Sequence, residues 1–222
     1  QTARFCGMRW LAPLVVHGTA TTSAASAGAA ERRGSRHVSS RAVLAVVYAH
    51  PYPDRSRANR ALVETLRDVE GAELRSLYDL YPDFVIDVEA ERRALEAAEV
   101  IVWQHPIYWY TAPALLKLWF EKVLGRGWAY GARRALEGKP CQWVVTTGSP
   151  TEGYGEAGVH EHPFEVYEPV VRQTARFCGM RWLAPLVVHG AHVIDDATLA
   201  REAARYRGRL GELAKEKRAD HA

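Results

Sequence analysis

Three short stretches hold the residues best suited to chemistry. The first runs Ala49-His50-Pro51-Tyr52-Pro53-Asp54-Arg55-Ser56-Arg57-Ala58-Asn59. It leads from an apolar strand into a helix. The free amides and positive dipole end of a helix N-terminus favour a phosphate. Ser56 offers a hydroxyl, Asn59 an amide donor and His50 an imidazole N–H. Ser56 also reads simply as a helix cap, and His50-Pro51 as a turn. No G-x-G-x-x-G occurs here, so the dinucleotide fingerprint of a Rossmann domain is not supported.

The second stretch, Gln104 to Pro113, contains Tyr108, Trp109 and Tyr110 in succession. Adjacent aromatic residues in a strand-end loop call for a cover. A flat isoalloxazine ring would provide it, with loop N–H groups reaching its carbonyls and N5. Packing against a second subunit is the other reading, and Trp119 and Phe120 on the following helix add apolar surface that suits a dimer. The third stretch is Thr146-Thr147-Gly148-Ser149-Pro150. Gly148 admits a close approach by a ring edge, and the hydroxyls are small donors for the pyrimidine side of a flavin. Tyr154 and His160 follow. An O–H and an imidazole there can steady charge that builds during hydride transfer, or they are an ordinary loop tyrosine and surface histidine.

These stretches need elements to position them. Val43 to Ala49, Val100 to Trp103 and Gln142 to Thr147 are apolar runs of the length of strands buried on both faces. Glu73 to Tyr78 is charged, as an edge strand tolerates, and Trp182 to His189 reads as a fifth strand. Helices are expected between them: from Ser56 to Gly71, from Glu89 to Ala98, from Pro113 to Gly125, from about Pro169 to Cys178, and after Asp195 or Asp196. Five alternating strands predict a doubly wound, flavodoxin-like α/β domain with a parallel sheet in the order 2-1-3-4-5. Ligands of such sheets lie at the carboxyl ends of the strands, near the switch in strand order. The loops after strands one, three and four, the three stretches above, meet there.

Bulk properties narrow the classes. The chain has 222 residues, 48% apolar and 25% charged, enough for one medium domain. Its three cysteines have no paired spacing, which argues against a disulfide framework and fits a reducing, cytoplasmic setting. The net charge is +3, but residues 1 to 41 carry +5, which leaves −2 for the remainder. So slight a charge gives no footprint for nucleic acid, and falls short of the strong acidity of one-electron flavodoxin carriers. His160-x-His162 lacks a third ligand at a recognisable offset, so no metal site is expected.

Residues 1 to 18 repeat residues 173 to 190 letter for letter. Structural repeats keep a pattern, vary in detail and recur more than twice. A single perfect copy reads instead as a duplication. Residues 19 to 41 read as a flexible linker. The expected division is therefore an extraneous segment, 1 to 41, and a flavin-binding domain, 42 to 222.

The motifs Y-A-H-P-Y-P-x-x-S-x-A-N (48 to 59), L-Y-x-L-Y-P-D-F-x-I-D (77 to 87), W-Q-H-P (103 to 106), P-x-L-L-K-L-W (113 to 119), G-W-A-Y-G (127 to 131) and T-T-G (146 to 148) occur in order. With them the chain resembles the NAD(P)H:quinone oxidoreductases that serve as ancillary subunits of glutathione-regulated potassium-efflux antiporters. The resemblance implies a dimer that binds FMN and reduces quinones with NAD(P)H. It implies flavin contacts at His50, at Ser56, Arg57, Ala58 and Asn59, at Ile107, Tyr108, Trp109 and Tyr110, and at Thr146, Thr147, Gly148 and Ser149. FAD shares the ring and first phosphate; the short first loop favours FMN. The stretch from Thr146 to His160 also resembles the DT-diaphorase type, which implies proton-relay roles for Tyr154 and His160. Ser149 and Pro150 stand where relatives often carry a second glycine. Two functions follow as expectations: a ping-pong quinone reductase, or a regulatory subunit docked on a potassium-efflux antiporter at the inner face of the cell membrane, with turnover secondary.

Overall fold

The computed structural model describes residues 43 to 219. The expectations for the repeated segment and linker lie outside these residues.

The sheet is built from β1 (Leu44–Tyr48), β2 (Ala72–Ser76), β3 (Val100–Pro106), β4 (Pro140–Thr146), β5 (Arg181–Trp182) and β6 (Leu186–Val188). All pairings are parallel, in the order β2-β1-β3-β4-β5, with β6 also on β4. Every residue of β1, β3 and β4 is buried. That burial is why these strands read as continuous apolar runs rather than alternating ones. Successive side chains still go to opposite faces. Ala45, Val47, Ile101, Trp103, Cys141 and Trp143 pack with residues of α3 (Val88–Ala97), α4 (Ala114–Val123) and α5 (Glu168–Phe177). Leu44, Val46, Val100, Val102 and Val144 pack with residues of α1 (Arg57–Glu64) and α6 (Asp196–Ala219).

The fifth strand differs from expectation: it is two short strands rather than one. β5 pairs with Pro140 and Cys141, and β6 with Val144 to Thr146. Pro185, between them, has no N–H for the ladder. The Gln142 side chain donates to the Ala184 carbonyl at 2.7 Å and bridges the gap.

Element ends also shift. The first helix stops at Glu64 and continues as a 3-10 turn, Thr65–Asp68. The edge strand ends at Ser76 and gives way to α2 (Leu77–Leu80). Pro113 caps α4 instead of standing in its first turn. Asp87 caps α3, accepting from the Ala90 amide at 2.9 Å. Asp195 caps α6, accepting from the Thr198 amide at 2.9 Å.

Glu91, on α3, is fully buried. Its Oε1 accepts from Arg75 Nη2 at 2.6 Å and Nε at 3.0 Å, and from the Tyr81 hydroxyl at 2.6 Å. Its Oε2 accepts from Trp119 Nε1 at 2.9 Å. This one carboxylate ties the edge strand β2 to α3 and α4. Among the described residues no helix is long and apolar enough to cross a membrane.

Candidate functional site

At the carboxyl ends of β1, β3 and β4 the three loops enclose a cleft of about 460 Å³, within the usual range for a small-molecule site. Backbone bonds hold the loops in register. The Ala49 amide donates to the Gln104 carbonyl at 2.9 Å, Ile107 N–H to Thr146 at 2.8 Å, and Thr147 N–H to Val188 at 2.9 Å.

One end of the cleft is the start of α1. Ser56 is indeed its cap, its Oγ accepting from the Asn59 amide at 3.2 Å. The cap satisfies one first-turn N–H, and the others have no intrahelical partner. Asn59 is buried. Its Nδ2 donates to Ser56 Oγ at 3.1 Å and to Thr146 Oγ1 at 2.8 Å, joining the first loop to the third. Its Oδ1 is buried with no partner. Ala58 is buried and lines no part of the cleft with its methyl group. The Arg57 guanidinium donates to the Asp196 carboxylate and the Ile194 carbonyl, and so binds α1 to the start of α6.

His50 forms part of the same wall. The Tyr52 amide donates to its Nδ1 at 3.0 Å. The ring proton is therefore on Nε2. Burial lowers its pKa to about 4, so the ring is a neutral donor at pH 7. His105, on β3, is buried in the opposite tautomer. Its Nδ1 donates to the Pro106 carbonyl at 2.9 Å and its Nε2 accepts from Trp143 Nε1 at 2.9 Å. Burial brings its pKa to about 4 as well.

The aromatic loop is a tight turn. Tyr108 and Thr111 exchange backbone bonds at 2.9 and 3.0 Å. Trp109 and Tyr110 between them have φ of 49° and 66°. Left-handed backbone costs a non-glycine residue about 1 kcal/mol or more. The turn separates the three rings. Tyr108 lines the cleft together with Ile107. Trp109 is 82% exposed and lines a neighbouring apolar cleft that shares Tyr52 and Tyr108 with the first. Tyr110 turns toward the segment after β4, where its ring stacks on Tyr167 at 5.2 Å.

Thr146, Thr147 and Gly148 form the remaining wall. A Cβ on Gly148 would meet the His192 ring at 3.0 Å, so glycine here makes room for that imidazole. Ser149 Oγ lies 2.7 Å from His160 Nε2, and the Tyr110 hydroxyl 3.4 Å from His160 Nδ1. Tyr154 stacks on His160 with ring centroids 4.4 Å apart. Burial pushes the Tyr154 phenol up, and a hydrogen bond with Thr147 opposes that shift. Tyr154 and His160 are thus brought together, yet neither they nor Ser149 line the cleft.

Sequence reasoning missed Arg55, Ala191 and His192, which line the cleft. It also missed His189, whose Nδ1 lies 3.1 Å from Thr147 Oγ1. A signal was available. The rule that places ligands at strand ends applies equally to the loop after the fifth strand, where both histidines stand.

The flavodoxin-like fold family matches residues 43 to 210, and the chain belongs to it. The chain is similar to the glutathione-regulated potassium-efflux system ancillary protein KefF of Enterobacter sp. (strain 638). The two are 47% identical over 170 residues, 76% of this chain and 95% of that protein. Among solved structures it is similar to general stress protein 14 of Treponema denticola, a structure in complex with FMN. The identity is 30% and the TM-score 0.71, over 77% of this chain and 99% of that one. It is also similar to an NADPH-quinone reductase from P. pentosaceus, at 25% identity and a TM-score of 0.70, over 76% and 97% of the two chains.

Proposed function

We propose that the protein is an FMN-dependent NAD(P)H:quinone oxidoreductase that transfers two electrons as a hydride by a ping-pong mechanism. The observation that carries this is the single cleft in which a helix N-terminus at Ser56, an aromatic wall at Tyr108 and a glycine-bearing wall at Thr147 and Gly148 meet. FMN fits these donors. The free amides of α1, Ser56 Oγ and the neutral Nε2–H of His50 are suited to a phosphate; Ile107, Tyr108, Thr146, Thr147 and Gly148 border the space for a planar ring, while Trp109, Tyr110 and Ser149 stand outside it. The orphaned Asn59 Oδ1 is an acceptor awaiting a donor, which a ribityl hydroxyl would supply.

FMN when bound accepts and passes on a hydride; the chain supplies position and electrostatics. Tyr108 and Ile107 would hold the ring, and Thr147 and Gly148 would stand beside it. Tyr154 and His160, stacked and held by Thr147 and Ser149, handle the proton a quinone needs beyond the hydride. The purified protein should be yellow, should release FMN by mass spectrometry, and should oxidise NADH or NADPH in the presence of a quinone. A colourless protein that stays apo with excess FMN would refute the reading.

A second reading rests on the likeness to KefF: a regulatory subunit docked on a potassium-efflux antiporter at the cytoplasmic face of the membrane. Altered potassium efflux on coexpression that survives loss of quinone reduction would favour it. Homodimerisation accompanies either reading. The apolar groove bordered by Phe120, Leu124, Tyr130, Val170 and Phe177 of the α4 and α5 region supports it.

A further inference from the structure

We propose that Arg55, and not Arg57, is the cation that makes the cleft select a phosphorylated flavin over its dephosphorylated form. The proposal rests on the flavin-binding part of the reading above and deepens it by naming the residue that discriminates.

Two arginines flank the Ser56 cap at the start of α1, and both line the cleft. Their charges are disposed differently. The Arg57 guanidinium is taken by the Asp196 carboxylate and the Ile194 carbonyl. It braces α1 against the start of α6, and its charge is already balanced. Among the described residues no carboxylate pairs with Arg55. Its guanidinium carbon lies 5.8 Å from the centroid of the Tyr52 ring, a cation–π distance. Tyr52 borders both the flavin cleft and the neighbouring apolar cleft, whereas of these two Arg55 borders only the first. The 3-10 turn Pro53–Arg55 holds the backbone in that place. In it the Arg55 amide donates to the Tyr52 carbonyl and the Ser56 amide to the Pro53 carbonyl, both at 3.1 Å.

The wall around Arg55 is short of charge. Among the described residues no aspartate or glutamate lines the cleft, and His50 contributes a donor without a charge. Asn59, 1% exposed, lines the same cleft with its Oδ1 unpartnered. That orphaned acceptor is a second sign, independent of charge, that a ligand belongs there. A phosphate monoester carries about −1.5 to −2 charges at pH 7, whereas riboflavin ends in a neutral hydroxyl. Amide N–H groups can donate to either end group. An unpaired full charge separates the two, and the guanidinium fork matches phosphate oxygens. FMN and riboflavin share the ring and the ribityl chain, so the choice between them falls to Arg55. The side chain is exposed, so salt weakens its pull.

The test uses the full chain and three variants: Arg55→Gln, Arg55→Lys and Arg57→Gln. Dissociation constants for FMN and for riboflavin are measured by quenching of flavin fluorescence, and their ratio is the readout. Arg55→Gln should lower the preference for FMN about tenfold, with riboflavin affinity within about threefold of wild type. Arg55→Lys keeps the charge and should keep the preference to within about threefold. Arg57→Gln should leave the ratio near wild type, since its charge is spent on Asp196. A roughly tenfold rise in salt should weaken FMN binding more in the wild type than in Arg55→Gln. An unchanged ratio in Arg55→Gln, equal losses of FMN and riboflavin in that variant, or a fall in the ratio as large in Arg57→Gln overturns the proposal and leaves the flavin reading standing. A wild-type protein that binds neither flavin overturns both.

Discussion

Replacing Glu91 by glutamine tests whether the cluster on α3 fastens one side of the sheet. Glu91 is fully buried, and the Arg75 side chain that pairs with it is 14% exposed. Breaking a buried ion pair by removing one partner costs about 3–5 kcal/mol, because a charge is left without compensation. Arg75 keeps a second partner, Glu73 at 2.7 Å, on the exposed side, which points to the lower end. The substituted side chain would still accept through its one carbonyl oxygen. Its amide nitrogen, however, would face donors: Arg75 and Tyr81 in one orientation, Trp119 in the other. The expected loss is therefore about 3 kcal/mol. For a domain of this size that is a fall in Tm of roughly 6–12 °C. In urea the midpoint should drop with an unchanged slope. FMN binding without denaturant should persist, since the cluster lies outside the cleft. A loss under about 1 kcal/mol for Glu91→Gln would refute the claim that this pair is buried and coupled.

Other outcomes follow from the same geometry. Gly148→Ala should weaken FMN binding by about tenfold, as its methyl group crowds the His192 ring, and His192→Ala in the same chain should restore part of it; fluorescence titration of both variants checks this. His105 should make the fold acid-sensitive. Its folded pKa of about 4 lies below the unfolded value of about 6.5, so the unfolded chain binds more protons between those limits. Stability present above pH 6.5 is then lost as pH falls toward 4, by up to about 3 kcal/mol; His105→Gln should flatten that slope in denaturation curves taken at several pH values. Deleting residues 1 to 41 should leave flavin content and turnover unchanged, and a collapse of both would show that the segment is structural.

Much of the fold was legible because the buried strands announce themselves. Val43 to Ala49 and Val100 to Trp103 have no polar residue to place on a solvent face, and only a doubly covered parallel sheet accepts such runs. The break in the fifth strand was also written in the sequence, at Pro185. Other features left no local trace. Left-handed backbone at Trp109 and Tyr110 is invisible where no glycine marks it, yet it decides that Tyr108 faces the cleft and Trp109 does not. Glu91 stands in a run of glutamates and arginines that reads as a solvated helix face; only the register of α3 against β2 and α4 carries it inside. Asn59 was legible as a donor, but its link to Thr146, 87 positions away, depends on the topology that places strands one and four on either side of strand three.

Thr146 is a shared hinge-pin for the whole cleft. Its carbonyl takes the Ile107 amide and its hydroxyl takes the Asn59 amide, so the segments after β1 and β3 are both moored to the last residue of β4. The three walls therefore cannot be exchanged one at a time: a loop transplanted from a relative would arrive without its mooring. Redesign of the pocket for another ligand has to move all three as a set, or keep Asn59, Ile107 and Thr146 as fixed points and vary the residues around them.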